Sequence, residues 1–441
     1  MATRMGFYEP IEAHLRSDSI QAAVQLIETA REKKKYGNKD RLIYYMDAGM
    51  LNHYAGNYGI SNQKLELAER SAEELFTKSV SKAALSMVLN DNALDYPGED
   101  FEVLYTNIIK ALNYVAMDSL EAAMVEVRRV NIKLDALESK YADAAAIFRA
   151  ESRKDTSYID FDYDIKEVRF YNNAFARYIS MHLYAAQAKY DDARIDYDHL
   201  RQAFELQPHI YPFDMPQVHY HTDSGALLSV VALAGLAPIK ESLSLRLRTD
   251  KQLNLVQILY DDPNSPTPEY THFPARIGED YYFKFSIPQL VNRQSEIGAI
   301  RVLAEDRVIG NLNLLEDIDR VAAETFEAKK SWILVRTVAR ALVKGLAAHK
   351  MKEKADDGGL GGWLKKVAID VVSDVIENAD LRSTRFLPGA VYVGDFVVEP
   401  GTYDLTIEFW SYEDQLLKTT TIENYTVRER GLNLVQAFSV L

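Results

Sequence analysis

The chain has 441 residues, 47% of them hydrophobic and 26% charged, which is the composition of a soluble globular protein. At about 100 to 200 residues per domain, this length predicts two or three domains. The net charge of −14 disfavours nucleic acid as a partner, because phosphate binding needs a basic surface. The chain contains no cysteine, which excludes disulfides, thiolate metal ligands and cysteine nucleophiles.

Residues 1–208 contain four copies of a pattern that predicts a helix, a tight turn and a second helix. The second helix begins with small and large residues at fixed spacing. In the clearest copy, Tyr190, Ala193, Tyr197 and Pro208 match the consensus of tetratricopeptide repeats. The copies lie roughly 35 to 70 residues apart, so extra segments interrupt the array. A generic helical domain is the alternative, and both predict an all-helical layer. The other three copies are Ile20, Ala23 and Ile27; Ser61, Leu65 and Ala68; and Leu120, Ala123 and Val127.

The character of the sequence changes after residue 208. Pro208, Pro212 and Pro216 end the helices, and we expect residues 209–224 to form a linker. Residues 225–441 alternate apolar and polar side chains, as in strands with one buried and one exposed face. The predicted fold class is α+β, with helical repeats followed by an antiparallel β-sandwich-like domain. We expect strands at 243–247, 254–260, 281–287, 297–303, 390–398, 403–409, 418–423 and 434–439.

Residues 322–379 interrupt the β-rich domain with a predicted amphipathic helical hairpin. Its first helix combines Trp332 with a basic stripe of Arg336, Arg340 and Lys344, and its second helix carries Trp363. Such helices lie on a membrane surface or dock on a partner. Packing against the protein's own sheet or repeats is the alternative.

Tyrosine is unusually frequent, at 27 residues. Tyrosines on a concave helical surface suit recognition of peptides or glycans, because the ring is apolar and the hydroxyl is polar. Core packing is the alternative. Residues 86–102, including Asp95 to Gly98, form either a binding loop or a simple connector. The candidate partner-binding tyrosines are Tyr54, Tyr58, Tyr96, Tyr114, Tyr184 and Tyr190.

The sequence contains no motif for a phosphate loop, a nucleophilic serine or a zinc protease. The best metal candidate is His219 with His221, which would share one face of a strand. A third ligand at recognisable spacing is missing, and a pair of hydrogen-bonded loop histidines is the alternative. We therefore predict no catalytic residue and no cofactor.

Several segments resemble a family of Gram-negative bacterial lipoproteins that have amino-terminal tetratricopeptide-like repeats and are largely without an assigned function. The resemblance implies an outer-membrane lipoprotein that faces the periplasm, with neighbours in some genomes that act on cell-wall synthesis as candidate partners. It assigns no catalytic residue. Met1 to Gly6 look like a lipoprotein trimmed at its lipid-bearing cysteine; a native cytoplasmic start is the alternative. The segments that carry the resemblance are Asp40 to Leu51, Asn90 to Glu102, Ala111 to Tyr114, Gly235 to Lys240, Ala379 to Ser383 and Leu387 to Pro388.

Together these features predict a non-enzymatic scaffold or adaptor of the cell envelope that binds a protein or envelope partner through its repeats. An oligomer is compatible with this role. The first alternative is an enzyme acting on envelope glycans or peptides, with a metal near His219 and His221. The second is a membrane-interacting protein that uses the hairpin at 322–379.

Overall fold

A computed structural model describes residues 5–81, 94–154, 168–260, 269–274, 280, 282–327, 329–330, 333–334 and 379–441. In these ranges a helical region comes first and a region of strands follows it, which confirms the predicted α+β class. The last helix of the first region ends at Leu206, and the first strand begins at Ala226.

The helical region consists of consecutive antiparallel pairs, each joined by a short turn. In each pair, the second helix begins four residues after the last residue of the first helix. The pairs are α1 (Glu9–Arg16) with α2 (Ile20–Glu32), α3 (Arg41–Tyr54) with α4 (Tyr58–Ser81), α5 (Asp100–Ala116) with α6 (Leu120–Lys154), and α7 (Ala174–Ala186) with α8 (Tyr190–Leu206).

All four turns have the same backbone geometry. Their middle residues are left-handed, with φ of 59° at Asp18, 74° at Gly56, 55° at Asp118 and 56° at Ala188. In each turn the next N–H donates to a carbonyl five residues back, as Lys189 N does to Tyr184 O at 3.0 Å. This is the Schellman arrangement, which satisfies carbonyls at a helix end. The same stop signal therefore ends the first helix of every pair.

Each second helix meets its partner at a small residue five positions after the left-handed one. These residues, Ala23, Ser61, Ala123 and Ala193, are completely buried. In the second pair, the first helix also has a small residue, Gly49, at the contact. A Cβ at this position would lie only 2.6 Å from Leu65 Cδ2. Small side chains thus let the two helices of each pair pack closely.

The described strands form three sheets of four strands each. The strands are β1 (Ala226–Ala234), β2 (Leu236–Asp250), β3 (Leu255–Tyr260), β4 (Glu269–Pro274), β5 (Tyr282–Arg293), β6 (Ile297–Ala304), β7 (Arg307–Asn311), β8 (Asn313–Asp317), β9 (Ala390–Val398), β10 (Gly401–Ser411), β11 (Leu416–Val427) and β12 (Leu434–Ser439). We name the sheets, by the order of their strands, sheet A (β12-β1-β9-β8), sheet B (β4-β3-β2-β5) and sheet C (β11-β10-β6-β7).

Sheet A is mixed, which corrects the prediction of a purely antiparallel domain. Strands β1 and β12 are parallel, with Ser229 opposite Leu434 and Ala234 opposite Ser439. A parallel pair needs a long crossover, and here most of the β-rich region lies between the two strands. The short alternating segment at 434–439 predicts a strand but contains no information on its direction.

Strand β1 is covered on both faces. Leu228 and Val230 belong to a core shared by sheets A and C, whereas Val231 and Leu233 belong to the larger core that contains the helices. A nearly continuous apolar run is typical of such strands. The helices, sheet A and sheet C are therefore stacked in this order.

The predicted linker at 209–224 contains no helix or strand, yet it is not a free connection. Ile210, Tyr211 and Val218 are buried in the same core as the helices. Residues of sheet A and the segment that precedes β9, such as Phe386 and Leu387, belong to that core too. One continuous core therefore joins the two regions.

The predicted helical insertion is only partly described. A helix, α9, begins at residue 318 and is described through residue 327, so it starts a few residues before the predicted 322. Trp332, Arg336, Arg340, Lys344 and Trp363 lie outside the described residues, as do residues 82–93 of the predicted loop.

Candidate functional site

The first helices of the pairs turn one face toward sheet A and residues 379–389; we call it the inner face. Three successive residues of that segment bind it. Thr384 N donates to Glu102 Oε1 of α5 at 2.7 Å, and Arg385 N donates to Asp47 Oδ1 of α3 at 2.8 Å. Phe386 O accepts a hydrogen bond from Tyr54 Oη of α3 at 2.9 Å. The backbone of this segment therefore satisfies polar groups on two helices.

Carboxylates from sheet A bind the inner face from the other side. Glu316 of β8 accepts hydrogen bonds from Tyr105 Oη and from Asn173 Nδ2, the latter at 2.7 Å. Burial raises the pKa of Glu316. Asp395 of β9 accepts one from Tyr178 Oη of α7 at 2.8 Å. The inner face is thus filled by the protein's own side chains.

A buried charge cluster adds to this contact at the beginning of α5. Glu99 forms ion pairs with Lys240 Nζ of β2 at 2.6 Å and with Lys329 Nζ at 2.8 Å. Burial opposes ionisation of Glu99, but the two ammonium groups lower its pKa to about 2. Nearby, Arg382 forms an ion pair with Asp40, with 3.1 Å between Nη1 and Oδ1. These opposite charges compensate one another, so the cluster joins the helical and β-rich regions.

Two candidate tyrosines belong to this buried interior, which corrects their prediction as partner-binding residues. The Tyr54 ring stacks on Phe438, with 4.3 Å between ring centroids. Tyr96 is 1% exposed, and its hydroxyl donates to Glu102 Oε2 at 2.7 Å. Their contacts lie far along the chain or inside a turn-rich segment, and for this reason local sequence did not reveal their burial.

A serine, a histidine and an aspartate meet beneath α7, but their geometry does not form a nucleophilic relay. Ser229 Oγ lies 3.4 and 3.5 Å from the two ring nitrogens of His182, and Asp395 Oδ1 lies 3.3 Å from His182 Nε2. A relay needs the hydroxyl and the carboxylate on opposite ring nitrogens. All three side chains are also buried, so this cluster stabilises the core.

His219 and His221 are exposed and lie in the connection between α8 and β1, not on a strand as predicted. Three nearby prolines have no N–H for a strand ladder. His221 Nε2 lies 3.8 Å from Asp223 Oδ1, and the ring packs edge-on against Tyr190. Among the described residues, no group of three or more histidine or carboxylate side chains is arranged to hold a metal.

On the opposite side of the helical region, the described residues leave a groove of about 130 Å³ between α6 and α8, and α7 forms its floor. Helix α7 separates the two sides: Tyr178 and His182 face the interior, whereas Arg177, Ser180 and Tyr184 face the groove. We call this the outer groove. Its lining residues are Met124, Val127, Arg128, Asn131, Arg177, Ser180, Tyr184, Asp192, Ile195, Asp196 and His199.

An ion pair fixes the floor of the outer groove. Arg177 Nη1 lies 2.9 Å from Asp196 Oδ1, and Ser180 Oγ donates to the other carboxylate oxygen. Asn172 Oδ1 accepts two further hydrogen bonds from the guanidinium, at 3.2 and 3.0 Å. The floor is therefore neutral and its side chains are held in place.

The polar groups above the floor are free. Within the part of the chain that the structure describes, the side chains of Arg128, Asn131 and Asp192 make no hydrogen bond or ion pair, and the buried Nδ1 of His199 has no partner. A buried polar atom without a partner is costly. Arg128 and Asp192 are exposed to water, so His199 Nδ1 is the groove atom that a ligand's hydrogen bond would satisfy.

The rim of the outer groove carries an exposed apolar side chain. Ile195 of α8 lines the groove and is 47% exposed, and Val125 and Ile132 are exposed elsewhere on α6. The volume is smaller than the roughly 300 Å³ or more of typical small-molecule sites. Side chains of a protein partner fit such a shallow groove better than a small molecule does.

A scan against protein-family models and searches of curated proteins and solved structures found no match to this chain. No helix among the described residues is long and apolar enough to cross a membrane.

The structure distributes the remaining candidate tyrosines over several places. Tyr184 lines the outer groove, and Tyr190 at the start of α8 is half-exposed. Tyr58 packs edge-on against His53, and Tyr114 packs on the core. Sequence reasoning missed the free charges of the groove. The available signal was the spacing of apolar and charged residues on the outer sides of α6 and α8.

Proposed function

We propose that this protein is a non-enzymatic scaffold or adaptor that binds a protein partner through its helical region. The four equal turns and the buried small residues support a tetratricopeptide-like arrangement of the pairs. The core shared by sheets A and C supports a β-sandwich-like second region. A location at the cell envelope rests on the sequence resemblance alone.

The observation that carries this proposal is the contrast between the two sides of the helical region. The inner face is filled by sheet A and residues 379–389, so a partner cannot reach it. Among the described residues, nothing fills the outer groove, Arg128 and Asp192 make no ion pair, and Ile195 on its rim is exposed. This contrast supports the outer groove as the place where the partner binds.

A quantitative affinity capture from native membranes tests this assignment, with the full-length chain as bait. The groove variant Ile195→Ser is compared with the control Leu67→Ser on α4, which removes an apolar side chain of similar exposure. We expect a protein retained by the wild type and the control and lost with the groove variant. Equal retention by all three baits would contradict the proposal.

A further inference from the structure

We propose that the outer groove binds the carboxylate of an acidic side chain of the partner protein. The preceding groove of the same helical region lies between α4 and α6 over α5, and there the chain itself supplies such a carboxylate. We call it the filled groove. This inference rests on the proposed function and adds the chemistry that the partner presents.

The two grooves are built from equivalent positions of successive helix pairs, because the pairs share their turn geometry and their close helix contacts. Equivalent residues are found by counting from the left-handed turn residue. Glu69 lies thirteen positions after Gly56, and Asn131 lies thirteen positions after Asp118. By the same count, Glu69, Asn107, Lys110 and Arg129 of the filled groove correspond to Asn131, Arg177, Ser180 and His199, which all line the outer groove.

The carboxylate of Glu69 is the centre of the filled groove. Its oxygens lie 2.9 Å from Lys110 Nζ, 2.9 Å from Lys133 Nζ and 3.3 Å from Arg129 Nη1. Asn107 Nδ2 also donates to it at 2.9 Å. Burial opposes ionisation of Glu69, but the lysines lower its pKa to about 2. An ionised carboxylate thus holds three helices together at this position.

The outer groove is open because its side chains at three of these positions are shorter. Asn131, Ser180 and Ala203 replace the central glutamate and its two lysine partners. The space that they leave is about 130 Å³, which suits one inserted side chain better than a typical small molecule.

Donors for a carboxylate remain in the outer groove. His199 replaces an arginine of the filled groove, and its buried Nδ1 has no partner but can donate when it carries the ring proton. Within the described part of the chain, the Asn131 amide and the Arg128 guanidinium at the mouth make no hydrogen bond. Asp192 is exposed, so water screens its charge. An incoming carboxylate would therefore be the acceptor that Glu69 provides in the filled groove.

A variant that supplies the carboxylate from within the chain tests the site without a partner. Asn131→Glu restores the side chain of the filled groove, and Asn131→Gln is a control of similar size without the charge. We expect Asn131→Glu to unfold at a higher urea concentration than Asn131→Gln at neutral pH, because charge-assisted hydrogen bonds are strong. The difference should shrink when His199→Ala is added to both. An equal or lower midpoint for Asn131→Glu would overturn the proposal.

The same variants, as full-length baits in the affinity capture, test the partner. We expect Asn131→Gln to retain the protein that the wild type holds and Asn131→Glu to lose it, because its own carboxylate occupies the site. If Asn131→Glu keeps a partner that Ile195→Ser loses, the acidic side chain is overturned and the groove remains the binding site. If both variants keep the partner, both proposals are overturned.

Photo-crosslinking in cells then identifies the inserted side chain. A benzophenone amino acid replaces Ile195, and the same probe at Leu67 is the control. We expect a crosslinked segment that contains an aspartate or a glutamate. In a peptide of this sequence, changing that acid to its amide should weaken binding to the wild type about tenfold and binding to Arg128→Gln much less. A segment without an acidic side chain, or an amide change without effect, would contradict the proposal.

Discussion

Asp47 is a buried carboxylate that binds three parts of the chain. It accepts hydrogen bonds from Tyr8 Oη at 2.8 Å, from Tyr36 Oη at 3.1 Å and from Arg385 N at 2.8 Å. Burial raises its pKa to about 7, although these hydrogen bonds oppose the shift. The folded protein thus holds a proton on this group at a pH where the unfolded chain has lost it.

This shift predicts a pH dependence of stability. Because the folded pKa lies above the unfolded value, the contribution of Asp47 is most favourable below pH 4 and is lost as the pH rises toward 7. We expect Asp47→Asn to remove this slope between pH 4 and pH 7. Urea unfolding of both proteins across this range measures the difference in free energy, and parallel curves would contradict the prediction.

The charge cluster gives a second prediction at the residue scale. Glu99→Gln leaves the buried ammonium group of Lys240 and the partly buried one of Lys329 without a full counter-charge. Removing one partner of a buried ion pair costs about 3–5 kcal/mol. The control is Arg201→Ala, which removes exposed pairs on α8 and should change stability by less than about 1 kcal/mol. Similar urea midpoints for the two variants would disprove the assigned role.

At the scale of elements, the four turns allow a matched test. Gly56 and Ala188 have similar left-handed conformations, but only the glycine tolerates this φ without strain. We expect Ala188→Gly to stabilise the protein by about 0.5–1 kcal/mol and Gly56→Ala to destabilise it by about 1 kcal/mol. No atom lies within 4 Å of a Cβ at Gly56, so sterics do not mask the effect. Thermal unfolding of both variants checks the two signs, and a shift in the same direction for both would contradict the argument.

Elements were predictable where local patterns decide them. The spacing of Ala123 and Ala193 revealed the helix pairs, and the alternation at 403–409 revealed β10. Strands β1, β4, β7 and β8 were missed. Strand β1 is a nearly continuous apolar run without alternation, and each of the other three is only five or six residues long. Of the residues that line the outer groove, Tyr184 was the one predicted from the sequence as a candidate. The groove exists only because α6 and α8 lie side by side, and local sequence does not show this.

At the scale of the whole molecule, the two regions depend on each other. The buried acids Asp47, Glu102 and Glu316 all have partners across the boundary between helices and strands. Local sequence cannot show such contacts, because the partners are separated by 211 to 338 residues. The same kind of separation explains why the burial of Tyr54, whose hydroxyl donates to Phe386 O, was not recognised from the sequence.

This dependence predicts the behaviour of a truncated chain. A chain that ends at Gln207 keeps the four helix pairs but exposes the inner face and its unpaired carboxylates. We expect it to retain helical circular dichroism, to bind a dye specific for exposed apolar surface, and to unfold without a sharp transition. Cooperative unfolding at the midpoint of the full-length protein would contradict this.

The parallel pairing of β1 and β12 also determines when sheet A can be completed during synthesis of the chain. Ser229 leaves the ribosome about 200 residues before Leu434, its neighbour in the sheet. At about 5–20 residues per second, this separation corresponds to roughly 10 to 40 s. Over that interval the helix pairs can form from local contacts, while their inner face and the central strand remain unprotected. The nascent chain therefore passes through a period in which it is exposed to aggregation and to binding by chaperones.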